Sequence, residues 1–169
     1  MLRVPLEIKQ ITLSRAGRHT VFPANFQLLI ATNPCPCGNF GSENRICLCS
    51  ASSIKSYWNK FSAPLLDRIQ IRVKLEKESV DFSLEALRKM ITSAIRVAKE
   101  RGGYVSELQT SDKCFDANWG LIKDFNYRKQ ENIKRIARVI ADMHEQQNIE
   151  DSDIKDAIKL CGETPLERI

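Results

Sequence analysis

Four cysteines in the first third of the chain stand in two Cys-x-Cys pairs, Cys35 with Cys37 and Cys47 with Cys49, at the ends of one polar loop. Thiolates gathered this way can bind a tetrahedral zinc ion, and a loop with little apolar content gains folding energy from it. Structural zinc pairs usually leave about two to four residues between cysteines. The single residue here keeps a second expectation open, four reduced thiols packed as small hydrophobes. Directly before the first pair, Phe26-Gln27-Leu28-Leu29-Ile30-Ala31-Thr32 runs apolar without alternation and stops at Asn33-Pro34. That pattern predicts a strand buried on both faces of a parallel sheet. It would deliver Asn33 to the sheet's C-terminal edge, where a carboxamide can orient a phosphate or an attacking water; a turn cap before Pro34 is the alternative. Arg68, beside Asp67, is either half of a surface ion pair or an arginine presented to a neighbouring subunit's nucleotide.

The elements that must position these groups follow in chain order. Ile11–Ala16 and His19–Pro23 are β-prone runs separated by Gly17-Arg18, which reads as a hairpin. Lys9, Arg15, Arg18 and His19 cluster on it, so its tip can meet a phosphate backbone, or be a solvated basic edge that resists aggregation. Ser50 is placed to cap a helix with Ile54, Tyr57, Trp58 and Phe61 on one face, and its aromatics read as core before they read as a base-stacking platform. Pro64 opens a short turn through Leu65-Leu66-Asp67-Arg68, and Ile69–Leu75 alternates strictly, as a strand with one wet face does. A composition shift places a domain boundary near Lys77 to Asp81, giving domains 1–77 and 78–169. Leu84, Leu87, Ile91, Ala94, Ile95 and Ala98 form the stripe of one long amphipathic helix ended by Gly102-Gly103. Residues 104–125 are the least readable, and Cys114 there is assigned to packing. Arg128 leads a helix with Ile133, Ile136, Ala137, Ile140 and Met143 on one face, and Asp151 or Ser152 starts the last helix.

With 169 residues, 43% of them hydrophobic, the chain can bury a core and is no disordered tail. The net charge of +5 permits an anionic partner without requiring one. No apolar run reaches membrane-spanning length, so the reading is a cytoplasmic protein with no membrane contact and with reduced cysteines.

Taken together the chain resembles the magnesium-chelatase-like AAA+ ATPases of the ComM type, linked to DNA uptake and branch migration. The residues that carry the resemblance are Leu2-Arg3-x-Pro5-Leu6-Glu7, Ser14-Arg15-Ala16, Phe22-Pro23-Ala24, Asn33-Pro34-Cys35-Pro36-Cys37-Gly38, Cys47-x-Cys49, Leu65-Leu66-Asp67-Arg68-Ile69 and Arg135-Ile136-Ala137-Arg138-Val139-Ile140-Ala141-Asp142. The resemblance implies an α/β portion of a AAA+ core, parallel strands plus a hairpin, followed by an all-α helical lid. It implies that Asn33 is sensor 1, Arg68 the arginine finger, Arg128 the lid's sensor 2 arginine, which also contacts nucleotide, and the hairpin a pre-sensor 1 element facing a ring's channel. It further implies ATP and Mg²⁺ in the complete protein, a homo-oligomeric ring, expected to be a hexamer, and DNA as partner.

Two departures qualify it. No Gly-x-x-x-x-Gly-Lys-Ser/Thr occurs in these 169 residues, and no apolar strand ends in the acidic pair that would hold Mg²⁺. The expectation is therefore the second half of a motor, lacking its N-terminal ATPase half and inactive alone, whether as a gene fragment, an internal start or a cloned domain. Asn132 stands where the family commonly carries a basic residue. The alternative from another class is a self-standing, zinc-stabilised module that binds nucleic acid or protein.

Overall fold

The computed structural model describes residues 2–75, 83–103 and 113–162. The chain divides into two compact units, Met1–Ile69 with Glu163–Ile169, and Gln70–Gly162. The expected boundary at 77–81 lies outside the described residues.

The first unit opens with α1 (Arg3–Ile8), which stops at Lys9, whose φ of 57° turns the chain and whose N–H donates to Pro5 O. β1 (Gln10–Arg15) and β2 (Arg18–Pro23) then pair antiparallel, with Ile11 opposite Phe22, Leu13 opposite Thr20 and Arg15 opposite Arg18. The turn is Ala16-Gly17, one residue earlier than the expected Gly17-Arg18, and both residues have positive φ, 48° and 77°. A two-residue hairpin loop requires that conformation. Gly17 adopts it freely, whereas Ala16 pays on the order of 1 kcal/mol.

Residues 26–32 do not form the expected buried strand. The one sheet among the described residues is the β1–β2 pair, and Leu29 is 84% exposed. A strand becomes buried on both faces only when neighbours flank it and a layer covers each side, and no described element does so here. Ile69–Leu75 likewise carries no ladder; Arg72 N–H instead donates to Leu160 O at 2.8 Å. The fold is thus a two-stranded hairpin followed by mostly helical segments.

α2 (Ala51–Trp58) starts where Ser50 accepts a bond from Ser53 N–H, so the expected cap is in place. Its apolar face lies on the sulfur loop. Cys35, Ile54 and Trp58 are buried together, with Phe40, Cys47, Cys49, Tyr57, Phe61 and Leu66 around them. The Trp58 indole N–H donates to Pro34 O at 2.8 Å, and its ring lies 5.7 Å from that of Phe61. The aromatics are therefore core, as their helical spacing suggested. α3 (Ala63–Leu66) follows, with Pro64 in its first turn, where the missing N–H costs nothing.

The second unit is helical: α4 (Leu84–Glu100), α5 (Lys113–Ala117), α6 (Trp119–Ile122), α7 (Tyr127–Met143) and α8 (Asp151–Cys161). Asn126 caps α7 by accepting from Lys129 N–H, so the helix starts at Tyr127, one residue ahead of the expected Arg128. Glu150 and Asp153 form a reciprocal capping box at α8. Ile133, Ile136, Ala137 and Ala141 of α7 meet Ile154, Ala157 and Cys161 of α8, with Ile122 and Phe115 closing the cluster. Burying a side chain such as Ile133 stabilises by about 1.5–3 kcal/mol. No helix among the described residues is long and apolar enough to cross a membrane.

A polar network centred on Asp142 runs through this apolar unit. Arg138, 5% exposed, donates to Asp142 Oδ1 at 3.0 Å, to Gln147 O at 2.8 Å and to Gln146 O at 2.7 Å. Arg101, just past α4, pairs with both Asp142 oxygens. Removing the shared carboxylate would leave the buried Arg138 guanidinium without its counter-charge. Asp142→Ala is therefore expected to destabilise by about 3–5 kcal/mol in urea unfolding, whereas Asp156→Ala, which breaks an exposed pair with Lys159, should leave the midpoint unchanged.

Candidate metal centre and the residues around it

The loop from Asn33 to Ser50 brings four sulfurs together. Cys35 Sγ lies 3.3 Å from Cys37 Sγ and 3.7 Å from Cys47 Sγ, and Cys37 and Cys47 are 3.6 Å apart. All four Sγ atoms, Cys49 included, lie within 4.8 Å of one another. A tetrahedron with zinc–sulfur bonds of 2.3 Å has edges of about 3.8 Å, so the set fits one mononuclear ion with little movement. In a four-iron cluster each terminal thiolate binds a different iron, which spreads the sulfurs further.

Local sequence builds this arrangement. Gly38 N–H returns to Cys35 O at 3.0 Å with φ of 80°, and Phe40 N–H donates to Cys35 Sγ at 3.4 Å. Backbone amides aimed at sulfur favour the thiolate. The Cys37 thiol is lowered to about 6, first by the Asn39 N–H and then by the Cys35 side chain. At Cys47 the Cys49 N–H acts downward, but burial and the neighbouring Cys37 and Cys35 sulfurs outweigh it and raise the thiol to about 12. Cys49 is also raised: the Cys37 N–H acts downward and is outweighed by the Cys37 side chain, burial and Cys35. The loop thus favours the thiolate at Cys37, and a bound dication would favour it at Cys47 and Cys49 as well.

The remaining sequence-derived residues are distributed as follows. Asn33 is exposed, and a Cβ added at Gly38 would lie 3.8 Å from its Cγ, so the sulfur loop's backbone sits against the carboxamide. Arg68, with a side chain 15% exposed, pairs with Glu7 at 2.7 Å and donates to Pro64 O. Its partner is Glu7, not the adjacent Asp67, and a separation of sixty-one residues puts that pair beyond the reach of local spacing. Arg128 lies in the first turn of α7. Asn132, 8% exposed, accepts from Gln70 Nε2 at 3.4 Å.

On the hairpin the register separates the basic group. Arg15 and Arg18 face each other across the strands at the tip, on the same face as Ile11, Leu13 and Phe22. His19 projects from the opposite face, with Nδ1 2.7 Å from Ser14 Oγ, and Lys9 lies at the far end. Like charges directly opposite are unfavourable unless an anion lies between them. Residues 1–69 hold eight of the 26 basic residues and three of the 21 acidic ones, so the whole net charge of +5 resides there.

Comparison with known proteins gives consistent results. Residues 1–82 match the family described as magnesium chelatase, subunit ChlI. Competence protein ComM of Haemophilus influenzae is 30% identical over 179 residues, covering 93% of this chain and 35% of that protein. The uncharacterized protein YifB of Salmonella typhimurium is 27% identical over 181 residues with the same coverages. An uncharacterized protein of Mycobacterium tuberculosis is 42% identical over 76 residues, covering 45% of this chain and 15% of that protein. The chain spans about a third or less of the length of these relatives.

The sulfur geometry generates a direct test. The chain should carry one equivalent of zinc when purified without added metal, and cobalt should replace it with a tetrahedral thiolate spectrum. Chelation should lower the melting temperature, and Cys47→Ser should do so without chelator. Elemental analysis showing well under one equivalent, together with chelator-insensitive melting, would establish simple packing of thiols.

Proposed function

The chain belongs to the magnesium-chelatase-like AAA+ family, ComM type, and from that membership we propose that it is the portion of an ATP-driven DNA motor running from sensor 1 to the helical lid. In this reading Asn33 positions the attacking water and Arg68 acts as an arginine finger on the nucleotide of an adjacent subunit. Arg128 contacts nucleotide from the lid. Phosphoryl transfer needs little covalent help and much placed positive charge, which is what these side chains supply. ATP and Mg²⁺ are held by the phosphate-binding half of the complete protein, and the ring is closed by heterologous contacts between copies. Residues 1–77 form the core portion and 78–169 the lid. The four cysteines hold a structural zinc ion that fixes the loop against Asn33.

The observation that carries the DNA part is the hairpin tip, where Arg15 and Arg18 directly oppose each other on the half of the chain that bears all the net charge. A phosphodiester between the two guanidinium groups turns their repulsion into two charge-assisted contacts. His19, tied to Ser14 on the other face, and Lys9, at the hairpin's base, contribute through the field more than through shared contact. The basic group thereby acts as an electrostatic footprint, without sequence preference.

Two measurements follow. Binding of the chain to short DNA should weaken with salt, and Arg15→Ala or Arg18→Ala should each reduce the slope of log K against log salt by about 1; an unchanged slope would remove the tip from the interface. The isolated chain should neither bind ATP tightly nor hydrolyse it. In a protein that also contains the phosphate-binding half, Arg68→Ala should lower turnover by about 10³-fold or more with little effect on nucleotide affinity. Near-normal turnover would reduce Arg68 to its ion pair with Glu7.

A further inference from the structure

Between the sulfur loop and α2 lies an open cleft of about 460 Å³, lined by Pro36, Ser53, Ser56, Tyr57 and Lys60. The last four recur at helical spacing, so one face of α2 and its C-terminal end supplies them all. No carboxylate lines the cleft. None of the hydrogen bonds or ion pairs among the described residues engages Ser53 Oγ, Ser56 Oγ or Lys60 Nζ. The ammonium lies 5.9 Å from the Tyr57 ring centroid. Three of the cleft's donors, the two serine hydroxyls and the ammonium, thus have no acceptor assigned to them.

We propose that this cleft binds a phosphate oxyanion, with the hydroxyls of Ser53, Ser56 and Tyr57 as donors and Lys60 as the counter-charge. A hydroxyl rotates its proton toward whichever acceptor arrives, and an ammonium offers three protons without fixed orientation. Four donors spread over a wall suit the several oxygens of a phosphate better than the two of a carboxylate. The cleft's volume falls in the range of small-ligand sites, roughly 300–1,000 Å³, which leaves room for a substituent on the phosphorus. Tyr57 OH is 2.8 Å from Thr32 Oγ1, and Thr32 Oγ1 can also donate to Asn33 O at 3.3 Å. When an oxyanion takes the Tyr57 proton's direction, Thr32 donates to Tyr57 and releases the Asn33 carbonyl. Occupancy of the cleft is thereby relayed to the backbone of Asn33.

The phosphate is either a nucleotide's or a nucleic acid's, and the test separates the two. The chain is titrated with inorganic phosphate, with ADP and with a 5′-phosphorylated oligothymidylate, and backbone amide shifts are followed against sodium chloride at equal ionic strength. Phosphate should move the amides of Ser53, Ser56, Tyr57 and Lys60 while chloride does not. Ser56→Ala and Lys60→Ala should each weaken that binding by about tenfold, with melting unchanged because both side chains are exposed. Whichever larger probe moves the same amides and competes with phosphate identifies the source. The proposal fails if phosphate leaves these amides unmoved, or if Lys60→Ala binds phosphate as well as the parent. An oligonucleotide that shifts the hairpin around Arg15 in a protein whose α2 ignores phosphate would overturn the cleft and leave the DNA reading standing.

Discussion

The first unit depends on where the Cys35 sulfur sits. It is fully buried, receives the Phe40 amide, and lies among Ile54 and Trp58 on one side and Cys37 and Cys47 on the other. One atom is therefore shared between an apolar core of three buried residues and a cluster of thiols. A core that small cannot fix a loop of this length through hydrophobic burial alone. A metal ion held by the four sulfurs would add directional bonds there, and those bonds would set where α2 begins and where the carboxamide of Asn33 rests. Loop, helix and candidate water-positioning residue form one mechanical assembly, with Trp58's bond to Pro34 as its second tie.

The second unit reaches order by the opposite means. Its helices interlock through Ile133, Ile136, Ile154 and their neighbours, and the buried network of Arg138, Asp142 and Arg101 serves to fix geometry. Asp142 takes two arginines because each alone would leave part of the carboxylate or a guanidinium in apolar surroundings without a partner. The contrast accounts for the uneven distribution of charge along the chain. The remainder of the chain balances its acids and bases in number, whereas residues 1–69 carry the whole net charge of +5.

What could be read from residue order follows from how far each interaction reaches. The caps at Ser50 and Asn126, the α7 stripe and the hairpin are local events, governed by neighbours within one turn or one strand pair, and periodicity exposes them. The turn falls at Ala16-Gly17 and not at Gly17-Arg18 because Ala16, unlike glycine, gives no outward sign that it will accept a positive φ. The strand expected at 26–32 depends on flanking strands that no local pattern can supply. Glu7 with Arg68, Arg101 with Asp142, and Trp58 with Pro34 are partnerships made by the fold itself. Of the candidate centre, the four cysteines were legible from type and spacing; the donor-lined face of α2 was not, because serines on a helix look like solvated surface until a wall stands opposite them.

Arg138's grip on the α7–α8 connection bears on how the chain tolerates change in length. Surface connections usually accept inserted residues because nothing is bonded to their backbone. Here the carbonyls of Gln146 and Gln147 are both held by a guanidinium that is itself anchored to Asp142, while Gln146 N–H returns to Ala141 O. An added residue would break the register of all three at once. The hairpin tip, whose Gly17 has open space around it, carries no comparable anchor. Insertions, epitope tags and natural length variation should therefore accumulate at the hairpin and be excluded from 144–150, although both are short turns on the surface of the same chain.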